Sequence, residues 1–157
     1  MAGKPAATQP QNPLALVLTM VGALGMVIAT FLPFNVPVAL HPLEHNVLIQ
    51  NGTGWLLVIL ALVIAASGYS VGRGQSDKWV GAAIPCVLAA LLILWFAMDK
   101  ELHTLYPVGP NGRVDKSQPG IVTTPGIALY VAGVGVAVAF VGALMLRKTA
   151  RLRTPGN

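Results

Sequence analysis

PGIALYVAGVGVAVAFVGALML, residues 125–146, holds no charged side chain and no histidine. Twenty residues of α-helix span about 30 Å, the thickness of a bilayer's hydrocarbon core. Within the stretch, Ala128, Ala132, Gly135, Ala139 and Gly142 recur every three or four residues and fall on one helical stripe. In lipid, helices gain little by hiding leucines from one another, so stripes of small residues that let backbones approach become the packing surface. Leu129, Val136, Phe140 and Leu144 are expected on other faces, with Val136 facing lipid or loose contact. The stretch therefore predicts a transmembrane helix with one face built for close packing.

Three further runs read the same way: residues 13–34, 54–71 and 79–98. The first carries Thr19, Gly22, Gly25 and Ala29 at similar spacing, and the second Ala61, Ala65 and Gly68. Its N-terminal position makes the first run a candidate signal peptide. It exceeds the usual apolar length of about 7–15 residues, and Ala29-Thr30-Phe31 makes a poor cleavage site, so it is expected to remain as a helix. Pro13 suits a first helical turn, where its missing N–H is not needed. Pro85 lies inside the third run, where neighbouring helices must satisfy the carbonyl it frees. The fold class expected is all-α, a polytopic membrane protein built as a bundle of four transmembrane helices. Residues 1–12 and 147–157 are expected as flexible and basic cytoplasmic tails.

Composition agrees. Only 10% of the 157 residues are charged, against about 25% in a soluble domain, so the bilayer is the natural solvent. The formal net charge of +5 does not point to nucleic acid, because the basic residues sit at the ends of apolar runs. Seven of the ten basic residues, Lys4, Arg73, Lys78, Arg147, Lys148, Arg151 and Arg153, fall on the side with the termini and the short turn. Lys100, Arg113 and Lys116 fall on the side with the two longer loops. The positive-inside rule then predicts both termini in the cytoplasm of a cell whose cytoplasmic membrane holds the protein. Arg147, Lys148, Arg151 and Arg153 are candidates to contact anionic lipid headgroups, at about 1 kcal/mol for each cation near such a surface.

Chemistry-bearing motifs are few. The single cysteine, Cys86, lies in an apolar run and reads as a packing residue. Asn51-Gly52-Thr53 spells a glycosylation acceptor but abuts the second run. His41-Pro42-Leu43-Glu44-His45 has the inverted zinc-peptidase spelling, yet the loop is far too short to supply a peptidase fold. A metal site built from His41, Glu44 and His45, with His103 recruited from beyond the third run, is the sharper candidate. Solvated loop histidines are the plain alternative. No cofactor is expected. The four apolar runs contain no ionisable residue of the Asp, Glu, Lys, Arg or His kind, which weighs against a proton-coupled carrier acting alone.

Thr124-Pro125-Gly126-Ile127-Ala128-Leu129-Tyr130, opening a Gly/Ala/Val helix that closes on Arg147-Lys148, resembles the small four-span integral membrane proteins of high-GC actinobacteria. The resemblance covers the last run and the number of runs, and it implies a membrane location and no particular activity. The function expected from the residues is that of a non-enzymatic membrane protein, an accessory subunit that binds a membrane partner. A pore-forming or holin-like homo-oligomer and a small-molecule or metal carrier are the alternatives.

Overall fold

The structure is a computed structural model that describes residues 12–36, 47–49, 52–73, 78–107, 111, 113, 116–117 and 119–153. Within them the chain is an all-α bundle of four helices: α1 (Pro13–Ala29), α2 (Gly54–Gly72), α3 (Val80–Met98) and α4 (Ile127–Arg153). The helices pack as a ring in chain order, and the α1/α4 interface is the most extensive. Three helical segments, Gly54–Gly72, Val80–Met98 and Ile127–Lys148, are long and apolar enough to cross a membrane, whereas α1 is a shorter apolar helix of 17 residues. The chain therefore reads as embedded in a membrane.

The ends of α1 and α4 have identifiable causes. Asn12 caps α1 by accepting a hydrogen bond from Ala15 N at 3.1 Å, and Pro13 follows in the first turn. The expected first helix, residues 13–34, stops early, at Ala29. Thr30 turns its hydroxyl back onto Val27 O at 2.7 Å, and Pro33 disfavours helical geometry at Leu32. The chain then enters a two-residue strand, β1 (Asn35–Val36). The second and third helices match residues 54–71 and 79–98 to within one residue. The last helix does not start at Pro125. Thr124–Pro125 forms the short strand β4, antiparallel to β1, and the helix starts at Ile127. It also runs past Leu146 to Arg153, because Arg, Lys, Ala and Leu are good helix formers and basic residues suit a helix C-terminus.

The other two strands, β2 (Thr104–Leu105) and β3 (Ile121–Val122), also pair antiparallel. These two-residue ladders and the bridge Pro33↔Val47 bring the connections α1–α2 and α3–α4 together at one end of the bundle, the loop end. The opposite turn end holds the start of α1, the short α2–α3 connection and the end of α4.

Large side chains point outward all round. Leu24, Leu62, Leu91 and Val134 are each more than half exposed, while the interior is filled mainly by small residues and a few large ones, Met26, Phe34, Leu57, Ile64 and Phe96. Pro85 and Cys86 are buried in α3, which stays continuous through them. The small residues of α4 lie in its buried face: Ala128, Ala132 and Ala139 are fully buried, and Gly135 and Gly142 are buried beside them. One expectation fails. Leu129 and Val136 are each only 6% exposed and belong to the same core. A helix that meets α1 on one side and α3 on the other buries an arc wider than a single stripe, and residues one step from the stripe fall inside it.

Candidate functional site

The loop end contains a buried histidine, His103. It lies in the turn after α3, where Lys100 O accepts from His103 N at 3.2 Å. Its Nδ1 is 2.7 Å from Asn35 Oδ1 and its Nε2 is 2.9 Å from Phe96 O. Asn35 Nδ2 donates to Leu102 O at 3.1 Å, which fixes the amide oxygen toward the ring. Both ring partners are therefore pure acceptors. Thr123 completes the cluster by donating to His103 O from its backbone N at 2.7 Å and its hydroxyl at 2.9 Å.

One ring covers the imidazole and a second supports it. Phe34 stacks on it at 5.1 Å between centroids and 13° between planes, and Phe96 meets Phe34 edge-on at 6.3 Å. The cluster thus joins the end of α1 (through Phe34 and Asn35), the end of α3 (through Phe96 and His103) and the approach to α4 (through Thr123). Polar groups buried together and bonded to one another specify a single arrangement of the loop end.

The expected ligand set takes a different shape. His103 is committed on both nitrogens to Asn35 and Phe96, so a metal would have to displace one of those bonds. His41, Glu44 and His45 lie outside the described residues. Asp99 accepts from Glu101 N at 2.9 Å within its own turn. Among the described residues no three metal-ligating side chains gather.

At the turn end the polar features are cationic. The Arg147 guanidinium lies over the Trp79 ring at 5.2 Å, joining α4 to the start of α3. Arg73 lies over Tyr69 at 5.1 Å at the end of α2. Such contacts hold a guanidinium in place while leaving its donors available. Lys148 is exposed. Arg151 and Arg153 belong to the last turn of α4.

Two apolar grooves mark the outer surface. One, of about 320 Å³, runs between α1 and α4, with the backbone of Gly22, Gly25 and Gly135 as its floor and Val21, Tyr130 and Val134 at its edges. The other, of about 300 Å³, runs between α3 and α4 from Trp79 to Leu88.

The sequence singled out His103 but gave no sign of its partners. Asn35 lies 68 positions away and looks like any loop asparagine, and Phe34 read as the last residue of a span. Arg147 was visible as a flanking cation, while its contact with Trp79 was not. Comparison with known proteins finds no family model, no curated protein and no solved structure that matches this chain.

Proposed function

We propose that the chain is a non-enzymatic, four-span protein of the cytoplasmic membrane, with both termini in the cytoplasm, that serves as an accessory subunit by binding a membrane partner. The observation that carries the reading is the groove between α1 and α4. Its floor is the seam where the glycine backbones of α1 and α4 meet, so no large side chain stands between the flanking Val21, Tyr130 and Val134, and an apolar partner helix can lay its side chains there. The lack of Asp, Glu, Lys, Arg and His in the apolar parts of all four helices supports a binding role over ion or proton transport.

The four-span arrangement requires α1 to cross despite its 17 residues, about 26 Å at the helical rise. A somewhat short helix is accommodated by local thinning of the bilayer, and Thr30 to Phe34 extend the apolar path beyond its last turn. Orientation is tested with single cysteines in a Cys86→Ala background. Positions Thr8, Gln75 and Thr154 are expected to react with an impermeant thiol reagent only from the cytoplasmic side, and Gly52 and Ser117 only from outside. Labelling of Gly52 and Gln75 from the same side would rule out the arrangement.

Partner binding is tested at the groove edge. Val134 is 64% exposed, so Val134→Trp fills the groove without entering the bundle. The substituted chain is expected to fold with an unchanged thermal midpoint in detergent but to lose its co-purifying membrane partner, losing at least about tenfold in affinity, the effect of roughly 1.4 kcal/mol. Size-exclusion chromatography with light scattering separates the outcomes. A homo-oligomer dissolved by Val134→Trp would favour the pore-forming reading, and a monomer with no partner before substitution would count against both.

A further inference from the structure

The second groove differs from the first in what stands at its mouth. It follows α3 from Trp79 to Leu88, with Leu144 and Phe140 of α4 on its other side. Nine residues of helical rise cover about 14 Å, roughly half the hydrocarbon core and so about one leaflet. The groove is deepened where α3 carries Ala83, whose side chain is 7% exposed. Val87 is 49% exposed at its rim. Leu144 is followed three and four residues later by Arg147 and Lys148, which share its helical face. Arg147 is held over Trp79, itself part of the groove's lining, at 5.2 Å. The described acidic side chains, Asp99 and Glu101, lie at the loop end. Asp77, in the α2–α3 connection, lies outside the described residues.

We propose that this groove binds a single anionic phospholipid of the turn-end leaflet, one acyl chain lying along α3 between Trp79 and Leu88 and the phosphate against Arg147 and Lys148. The apolar channel ends near the membrane middle, where a leaflet's chains end. A guanidinium pairs with phosphate oxygens through a planar fork and sheds water more readily than an ammonium. Trp79 holds that guanidinium before the lipid arrives, so little side-chain freedom is lost on binding. The groove between α1 and α4 has the same size and apolar character, and neither groove has a cation in its lining, but only this one has a guanidinium held over a lining side chain, Arg147 over Trp79. The lipid site is independent of the accessory reading, since it needs only that α3 and α4 lie in a bilayer.

Quenching of Trp79 by brominated lipid tests the proposal. Trp55→Phe and Trp95→Phe leave Trp79 as the sole tryptophan. The protein is reconstituted in phosphatidylcholine vesicles containing either phosphatidylglycerol or phosphatidylcholine brominated in mid-chain, at equal mole fraction. Brominated phosphatidylglycerol is expected to occupy the site roughly fivefold more readily, the preference one interfacial cation confers. Arg147→Gln should remove most of the preference, Lys148→Gln should reduce it less, and Arg73→Gln, on the α2 side, should leave it unchanged. Val87→Phe should lower quenching by filling the channel while leaving the cations in place. Soluble glycerol phosphate should not displace the brominated lipid, because the chain as well as the phosphate is bound. Equal quenching by the two lipids in the parent protein overturns the proposal, as does displacement by glycerol phosphate. A preference undiminished in Arg147→Gln overturns it too. If that variant does not fold, a preference undiminished in Lys148→Gln together with quenching undiminished in Val87→Phe does the same.

Discussion

Gly135→Leu is expected to break the bundle apart. A Cβ placed on Gly135 would stand 2.9 Å from Gly22 O and 3.0 Å from Met26 N. A Cβ on Gly22 would stand 2.5 Å from Gly135 O and 2.7 Å from Ala139 Cα. Every one of these neighbours is backbone, so no rotamer change relieves the overlap and α1 must move away from α4. Moving it opens the largest helix interface in the molecule, including Gly142 against Thr19 further along the same contact. In lipid there is no hydrophobic gain to offset lost van der Waals contact between helices. Overpacking in a core destabilises by about 1–3 kcal/mol and occasionally more, and with backbone on both sides the effect should reach about 3 kcal/mol or more for Gly22→Leu or Gly135→Leu. The reference substitution is Val134→Leu, one residue away but on the exposed face, with an effect within about 0.5 kcal/mol. Val136 would be a poor reference because it is buried. The measurement is the thermal midpoint in mild detergent by circular dichroism. Equal midpoints for Gly135→Leu and Val134→Leu would mean that α1 and α4 do not touch as described.

The second large effect is expected at His103. His103→Leu removes the ring whose nitrogens lie against Asn35 Oδ1 and Phe96 O in a buried place. An unsatisfied buried polar group costs about 1–3 kcal/mol, so the loss should be at least about 1–3 kcal/mol. The damage should be local, since the small-residue contacts between helices do not involve this ring. Hydrogen exchange should therefore rise at residues 33–36, 99–105 and 121–126 more than along α2. Asn35→Leu should produce much of the same effect, and the double variant should fall short of the sum, because both residues belong to one network. Full additivity, or uniform loss of protection throughout the helices, would show that the cluster does not act as a unit.

The helices were legible because a long charge-free run is stable in few settings besides a bilayer. α2 and α3 could be bounded within a residue, since charged or glycine-rich turns flank them. The ends of α1 and α4 were not legible. Apolar sequence continues through Leu32-Pro33-Phe34 although the helix has stopped, and what stops it is partly the pairing of Asn35–Val36 with Thr124–Pro125. That pairing joins segments far apart in the chain, and no local pattern announces it. The same reason hid the partners of His103. The histidine pattern drew attention to His41 and His45, which lie outside the described residues, whereas the bonding of His103 depends on an asparagine and a main-chain carbonyl, groups that carry no motif. The small-residue periodicity in α4 located its densest contacts but understated the buried arc, because a stripe describes one neighbour and α4 has two.

The ring order of the helices gives the chain an unusual schedule during its synthesis. α1 is made first, yet its main partner, α4, is made last, after α2, α3 and both long connections. From Ala29 to Ile127 the ribosome must add 127 − 29 = 98 residues, a delay of roughly 5–20 s at ordinary rates of elongation. For that interval Gly22 and Gly25 face lipid or the insertion machinery instead of Gly135, and the strand residues Asn35 and Val36 wait for Thr124 and Pro125. Any nascent chain interrupted before Ile127 presents an uncovered glycine surface on its first helix, which is the kind of surface a membrane protease or chaperone can recognise. The closure of α1 onto α4 therefore marks the moment at which the four-helix ring is closed.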